Sequence, residues 1–242
     1  MERGDQDLRD AAASLLAWWN EAGVDVALDE APRNWLRPAP RAEPTGPTAA
    51  PQAAPAAAPP GQLDLFQAWL ASSDALPWAA PAAPRVCPAG DPAAGLMIVT
   101  DMPTGEDCKA GVLISGEAGR LFERMLAAIG RSRETIYLAA LSCLRSPDGR
   151  FSTEGAKQCA TLARHHAGLV MPRALLIFGD AASKALLGLP LVQARGRWHE
   201  VQTQGGAIKA TVTLPPSFLL AQPAAKAHAW ADLQLVMREL DQ

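Results

Sequence analysis

The chain reads as an α/β protein, a three-layer α/β/α sandwich around a central four-stranded, mainly parallel sheet. Three observations predict it. Four short apolar runs, Leu96–Val99, Thr135–Leu141, Ala174–Phe178 and Ile208–Thr213, have the length and composition of buried strands. Stretches of helical period separate them: Arg120–Ile129, Thr153 to about Leu169, and Asp180–Leu187, with a last helix from about Ala224 to Leu240. Strand and helix alternate over the whole carboxyl-terminal part, which gives parallel pairing and helices on both faces. With 242 residues the chain is long enough for one such domain and an appendage.

The appendage comes first. Between Asp7 and Asn20, Leu8, Ala12, Leu15, Leu16 and Trp19 recur at helical spacing, and Gly23 ends that run. Residues 1–36 form an N-terminal helical segment too small to hold a core alone, so it must dock on its own domain or on another protein. Residues 37–60 are almost all Ala, Pro, Thr and Glu, with too little to bury to offset the entropy of ordering, and they read as a disordered linker. The domain proper is 61–242.

Charge divides along the same line. Residues 1–95 carry a balance of −6 and residues 96–242 one of +3, inside a net −3. The mild positive charge of the folded part is compatible with nucleic acid. No apolar run is long enough to span a membrane, and the acidic start MERGDQDLRD is no signal peptide. A cytoplasmic location follows as the expectation. Cys87, Cys108, Cys143 and Cys159 contain no C-x-x-C pair, so they read as buried thiols and no metal site is signalled.

Two stretches carry chemistry. Leu96–Val99 breaks into Thr100-Asp101-Met102-Pro103-Thr104-Gly105, and a glycine-bearing loop, 111–119, leads into the next helix. An acid at the carboxyl end of a strand is where open α/β sheets bind ligands, although Asp101 also suits a plain surface turn. The second stretch is Gln62-Leu63-Asp64-Leu65-Phe66, just after the linker. It resembles the motif by which many bacterial polymerases and repair proteins hold the replication sliding clamp. Beside a linker it would act as a tether. The same residues place Leu63, Phe66 and Leu70 on one helical face, so a helix packed on the domain is the competing reading.

The segments GEDCKAGVLISGEAG, FERMLAAIG, IYLAALSCLRSPDGRFST, MPRALLIFGDAASKALLG, RGRWHE and LPPSFLLAQPAAKAHAWADLQLV together resemble the uracil-DNA glycosylase superfamily, most of all its family-4 branch with an iron–sulfur cluster. The resemblance covers roughly 63–242. It implies enzymes that flip uracil from DNA and cleave its glycosidic bond. An acid positions a water, an aromatic stacks on the base, an asparagine reads the uracil edge and a histidine supports the departing anion.

Most of those groups are replaced. The family's Gly-Glu-Ala-Pro-Gly falls on Thr100-Asp101-Met102-Pro103-Thr104, the stacking aromatic on Ile114, the asparagine on Ala140, and His-Pro-Ser on Pro215-Pro216-Ser217. The cluster's cysteines fall on Ser73, Leu76, Leu144 (with Cys143 one place off) and Cys159, so a 4Fe–4S cluster is expected to be absent. Arg145, Arg150, Arg195, Arg197 and Ser217 lie on loops that in the family approach DNA. The resemblance therefore implies a catalytically degenerate member serving replication or repair as an accessory or adaptor module. Its partners would be DNA and, through Gln62, Leu63, Leu65 and Phe66, the sliding clamp or another replisome or repair protein. The alternative is an active, divergent glycosylase acting on uracil or another deaminated base, with Asp101 activating water.

Overall fold

The structure, a computed structural model, describes residues 58–241. The helical segment expected over 1–36 and nearly all of the linker expected over 37–60 lie outside the described residues.

The sheet is built on β2 (Leu96–Thr100) and β4 (Ala174–Phe178), which pair in parallel. On either side, β3 (Tyr137–Ala140) and β6 (Gly206–Thr213) continue the parallel ladder. Two antiparallel edge strands, β1 (Ala89–Gly90) and β5 (His199–Thr203), complete the order β1-β3-β2-β4-β6-β5. The sandwich is as expected, but the sheet has six strands rather than four. Both additions lack an apolar run: β1 is two exposed residues, and in β5 only Val201 is buried.

Alternation along the central strands sorts side chains between two cores. Leu96, Ile98, Leu176 and Phe178 face α3 (Gly116–Ala128), α7 (Pro216–Ala221) and α8 (Lys226–Leu240), meeting Phe122, Leu126, Leu219 and Leu233. Met97, Val99, Leu175 and Ile177 face the other way. They meet Ala163 and Ala167 of α4 (Thr153–Val170), Leu186 of α5 (Asp180–Leu187) and Leu191 of α6 (Leu191–Ala194). Small residues on α4 let that helix lie close to the sheet.

Local chemistry sets the helix ends. Ser152, not Thr153, caps α4 by accepting from the Gly155 N–H at 3.1 Å. The loop expected before α3 holds a short helix, α2 (Gly105–Ala110). A capping box forms it: Asp107 donates its N–H to the Thr104 hydroxyl at 3.1 Å, and Thr104 returns its own to Asp107 Oδ2 at 2.9 Å. Of the two threonines that stand at the family's glycine positions, Thr104 is thus the one that starts a helix.

The pentapeptide after the linker is corrected by α1 (Leu63–Ser72), which contains most of it. Phe66, the aromatic that a clamp pocket would receive, is 1% exposed. It stacks on Trp69 at 5.8 Å and meets His165 and His166, each at 5.1 Å. Leu70, Leu76, Cys143 and Leu144 close the same cluster. Leu65 is 56% exposed and Gln62 is exposed, while Phe66 is buried against the domain. The helix packed on the domain is the reading the structure supports, and Phe66 is committed to the protein's own core.

Around this cluster runs a buried polar chain in which Gln67 donates to the Tyr137 hydroxyl at 2.7 Å, 2.8 Å from His166 Nε2. Burial pushes the His166 imidazole down to about 4, so it is neutral at physiological pH. Because Phe66 covers this chain, Phe66→Ala is expected to cost roughly 3–5 kcal/mol, while Leu65→Ala stays within about 0.5 kcal/mol. Urea unfolding midpoints of the two variants check this, and equal losses would contradict it.

Candidate functional site

The loops at the carboxyl ends of β2, β3 and β6 enclose a cavity of about 570 Å³. It lies where open α/β sheets take ligands. Thr100, Asp101, Met102, Ile114, Pro215 and Ser217 of the sequence-derived positions line it, with Arg145 at its edge. Pro103 is buried behind the wall and offers its carbonyl to Arg145 Nη1 at 3.2 Å. Ala140 ends β3 opposite Thr100 but lines a different, smaller cavity. Of the positions expected to hold the base, Pro103 and Ala140 are therefore not on the wall.

Asp101 is held by the start of α5. The Ala182 N–H donates to its Oδ1 at 2.7 Å, and the Ala181 N–H adds a second bond. Its other oxygen lies against the Cα of Gly179, whose φ is +106° and where any Cβ would collide with the carboxylate. Burial is the largest influence on this carboxyl and pushes it up to about 6, against the lowering by the two backbone donors. Asp101 is therefore ionised at neutral pH, bound to a helix N-terminus.

Ile114, at the stacking position, has φ +53°, a conformation costly for a β-branched residue. Arg133 holds it there: Nη1 donates to the Leu113 carbonyl at 3.0 Å and Nη2 to the Ile114 carbonyl at 2.6 Å. The guanidinium also sits 5.0 Å from the centre of the Phe122 ring. Arg133 thus positions the wall from outside it.

Acids line the rest. Glu106, Asp107 and Glu117 join Asp101 on the lining, against Arg145 as the cation. Burial works against the Asp107 charge. Hydrogen bonds from Thr104 and Ser115 outweigh it and leave the carboxyl below its ordinary range. Sequence reading missed Glu106 and Glu117 because their segment looked like an irregular loop; the Thr104-x-x-Asp107 capping box was the available signal.

The arginines expected to approach DNA do different things. Arg195 is a structural residue: its Nη2 donates at 3.0 Å to Asp232, which is fully buried on α8 and also accepts from Thr213 at 2.9 Å. That replaces its assignment to DNA, since removing it would strand a buried charge. Arg197 is exposed and donates to the Gln193 carbonyl at 2.9 Å. Ser217 is exposed at the pocket mouth. Arg145 and Arg150, five residues apart, face separate cavities.

The residues at the cluster positions do not fit an iron–sulfur centre. Leu76 and Leu144 are buried apolar groups, and the Ser73 hydroxyl accepts from the Ala75 N–H at 3.1 Å. Cys143 donates its thiol to the Leu70 carbonyl at 3.6 Å. Burial pushes the Cys143 thiol up to about 11 and the Cys159 thiol up to about 12. The space between them is about 20 Å³, room for roughly one water molecule. Among the described residues no three His, Cys, Asp or Glu side chains converge on a point that could hold a metal. Nor, among them, is any helix long and apolar enough to cross a membrane.

A family model described as the uracil DNA glycosylase superfamily matches residues 87–234, which include all six strands and every loop of the pocket. Among curated proteins the chain is similar to the type-4 uracil-DNA glycosylase of Pyrobaculum aerophilum, 25% identical over 153 residues, covering 60% of this chain and 78% of the relative. It is also similar to the type-4 uracil-DNA glycosylase of Archaeoglobus fulgidus, 23% identical over 154 residues, covering 61% and 77%. The match spans well over half of the chain, and the chain belongs to the uracil-DNA glycosylase superfamily.

Proposed function

We propose that this protein is a catalytically degenerate member of the superfamily that serves DNA replication or repair as a non-cleaving accessory module. The observation that carries the reading is the charge and chemistry of the pocket wall. A departing uracil is an anion, and stabilising it requires donors aimed at the developing charge. On that wall Pro215 stands at the histidine position and Ile114 at the ring position, Ala140 at the amide position lies off it, and Asp101, Glu106, Asp107 and Glu117 present carboxylates. Those acids oppose the anion. A site built to read a polar edge also loses discrimination by orders of magnitude when its partner group is deleted.

Asp101 itself supports this reading. Two N–H groups of α5 engage its carboxylate and occupy lone pairs that a water would need, although burial raises the carboxyl to about 6. The clamp tether is not part of the proposal, because Phe66 is inside the core. A protein partner, if one is engaged, meets another surface.

One observation favours the alternative of a divergent glycosylase. The pocket is open, and Asp101, ionised above about 6, remains on its wall. The two readings separate by incubating full-length protein with single- and double-stranded oligonucleotides bearing uracil, hypoxanthine or xanthine, then cleaving abasic sites with alkali. No strand breaks are expected. Breaks that disappear in Asp101→Asn would establish the glycosylase.

The same variant tests the structural role of the acid. The folded-state pKa of Asp101 lies above its unfolded value, so its contribution favours folding at low pH and is lost as pH rises from about 4 through about 6. Asparagine keeps an acceptor for Ala182 and removes the buried charge. Asp101→Asn should match the natural protein near pH 4 and exceed its stability by up to about 3 kcal/mol near pH 7.5. Unfolding curves at the two pH values decide it; equal stability at both would refute the assignment.

A further inference from the structure

Two cavities flank the turn from β4 into α5, and their charges are opposite. The superfamily pocket carries four carboxylates against Arg145. On the other side, a wider groove of about 940 Å³ runs between α4 and α5. Arg150, Lys157, Arg164 and Lys184 line it against one acid, Asp180. Asp180 pairs with Lys184, and Arg164 directs one nitrogen to the Ala185 and Leu186 carbonyls at 2.6 and 3.3 Å. Arg150 and Lys157 are exposed at the rim.

The floor is apolar and shallow-walled. Ala156 and Ala160 of α4 face Ala181 and Ala185 of α5, so no long side chain fills the space. Phe151 closes one end, partly buried, its ring buttressed edge-on by Trp78 at 5.6 Å. Lys157 and Arg164 lie on one face of α4 about 10 Å apart along its axis. A line of cations beside an apolar floor and one aromatic is the arrangement that holds single-stranded nucleic acid: phosphates meet the cations and a base stacks on the ring. A duplex keeps its bases inside and would use the cations but not the floor.

We propose that the α4–α5 groove binds a segment of single-stranded nucleic acid, with phosphates against Arg150, Lys157 and Lys184 and one base against Phe151. The site rests on the reading that this protein associates with DNA, and it gives that reading a location the acidic pocket does not supply. Arg145 and Arg150 stand at opposite ends of one short loop, so a strand leaving the groove passes the pocket mouth.

The test uses full-length protein and a fluorescein-labelled twenty-nucleotide oligothymidylate, with a blunt duplex of the same length, followed by anisotropy across a range of KCl concentrations. The single strand is expected to bind more tightly than the duplex. Arg150→Gln with Lys157→Gln should weaken binding at least tenfold and reduce the magnitude of the log Kd against log salt slope by about 1.4, roughly 0.7 for each phosphate left without its cation. Phe151→Ala should weaken binding about tenfold with little change in slope, and circular dichroism shows whether it folds. Lys226→Gln, an exposed cation on α8, is expected to change neither. If the natural protein binds neither oligonucleotide, the DNA-associated reading fails and the groove with it. If it binds but the groove variants keep its affinity and slope, the groove alone is refuted. Tighter binding to the duplex refutes the single-strand assignment, as does displacement of the oligonucleotide by an acidic peptide at concentrations where free phosphate has no effect.

Discussion

The contact between the Asp101 carboxylate and the first N–H groups of α5 fixes the geometry of the ligand-binding end of this molecule. It joins the end of β2 to the turn after β4, the two central strands of the sheet. Gly179 makes it possible, since with φ +106° and no Cβ it lets the carboxylate rest against its backbone. A helix N-terminus satisfies an anion well, and the charge compensates the dipole. The burial that accompanies this raises the cost of the charge, which is why the carboxyl titrates near 6 rather than near 4. The Asp101 carboxylate fastens the end of β2 to the start of α5.

That fastener also separates two electrostatic environments. On the α3 side, Glu106, Asp107 and Glu117 line a cavity with Ile114 and Pro215 on its wall. On the α4 side, cations ring a floor of alanines. With the chain's modest net charge of −3, such a local division matters more than the sum. Cations gather on one side of the β4–α5 turn and carboxylates on the other.

How much of this was legible in the sequence depended on how many atoms each element buries. Ala174–Phe178 is apolar at every position because both its faces are covered, and its bounds could be read residue for residue. His199–Thr203 buries one residue in five and gives no such signal, although it completes the sheet. Helix α2 is polar and short, and its existence follows from two reciprocal hydrogen bonds rather than from any periodicity. Arg195 shows the opposite failure: a basic turn, RGRW, looked like one surface, but its first arginine is spoken for by Asp232, thirty-seven residues later. Resemblance brought Thr100, Asp101, Met102, Ile114 and Pro215 together before any coordinates did, and all five lie on one wall. Their acidic neighbours became visible only when α2 brought Glu106 to that wall.

The strained Ile114 shows how the outline of the pocket is held from beneath. A left-handed backbone at a β-branched residue costs on the order of 1–3 kcal/mol. That cost is offset by the Arg133 fork on two successive carbonyls and by its seat over Phe122. Phe122 is fully buried and packs against Phe178 at 5.9 Å, so the device is anchored in the core below the sheet. Gly119, in the first turn of α3, has no room for a Cβ beside the Ile114 carbonyl, which ties the start of the helix to the same bend. The supports hold the backbone at 114 through carbonyls and not through its side chain. Backbone shape and side-chain chemistry are thus held by different residues: the bend at 114 rests on Arg133, Phe122 and Gly119, none of which depends on which side chain position 114 presents to the pocket.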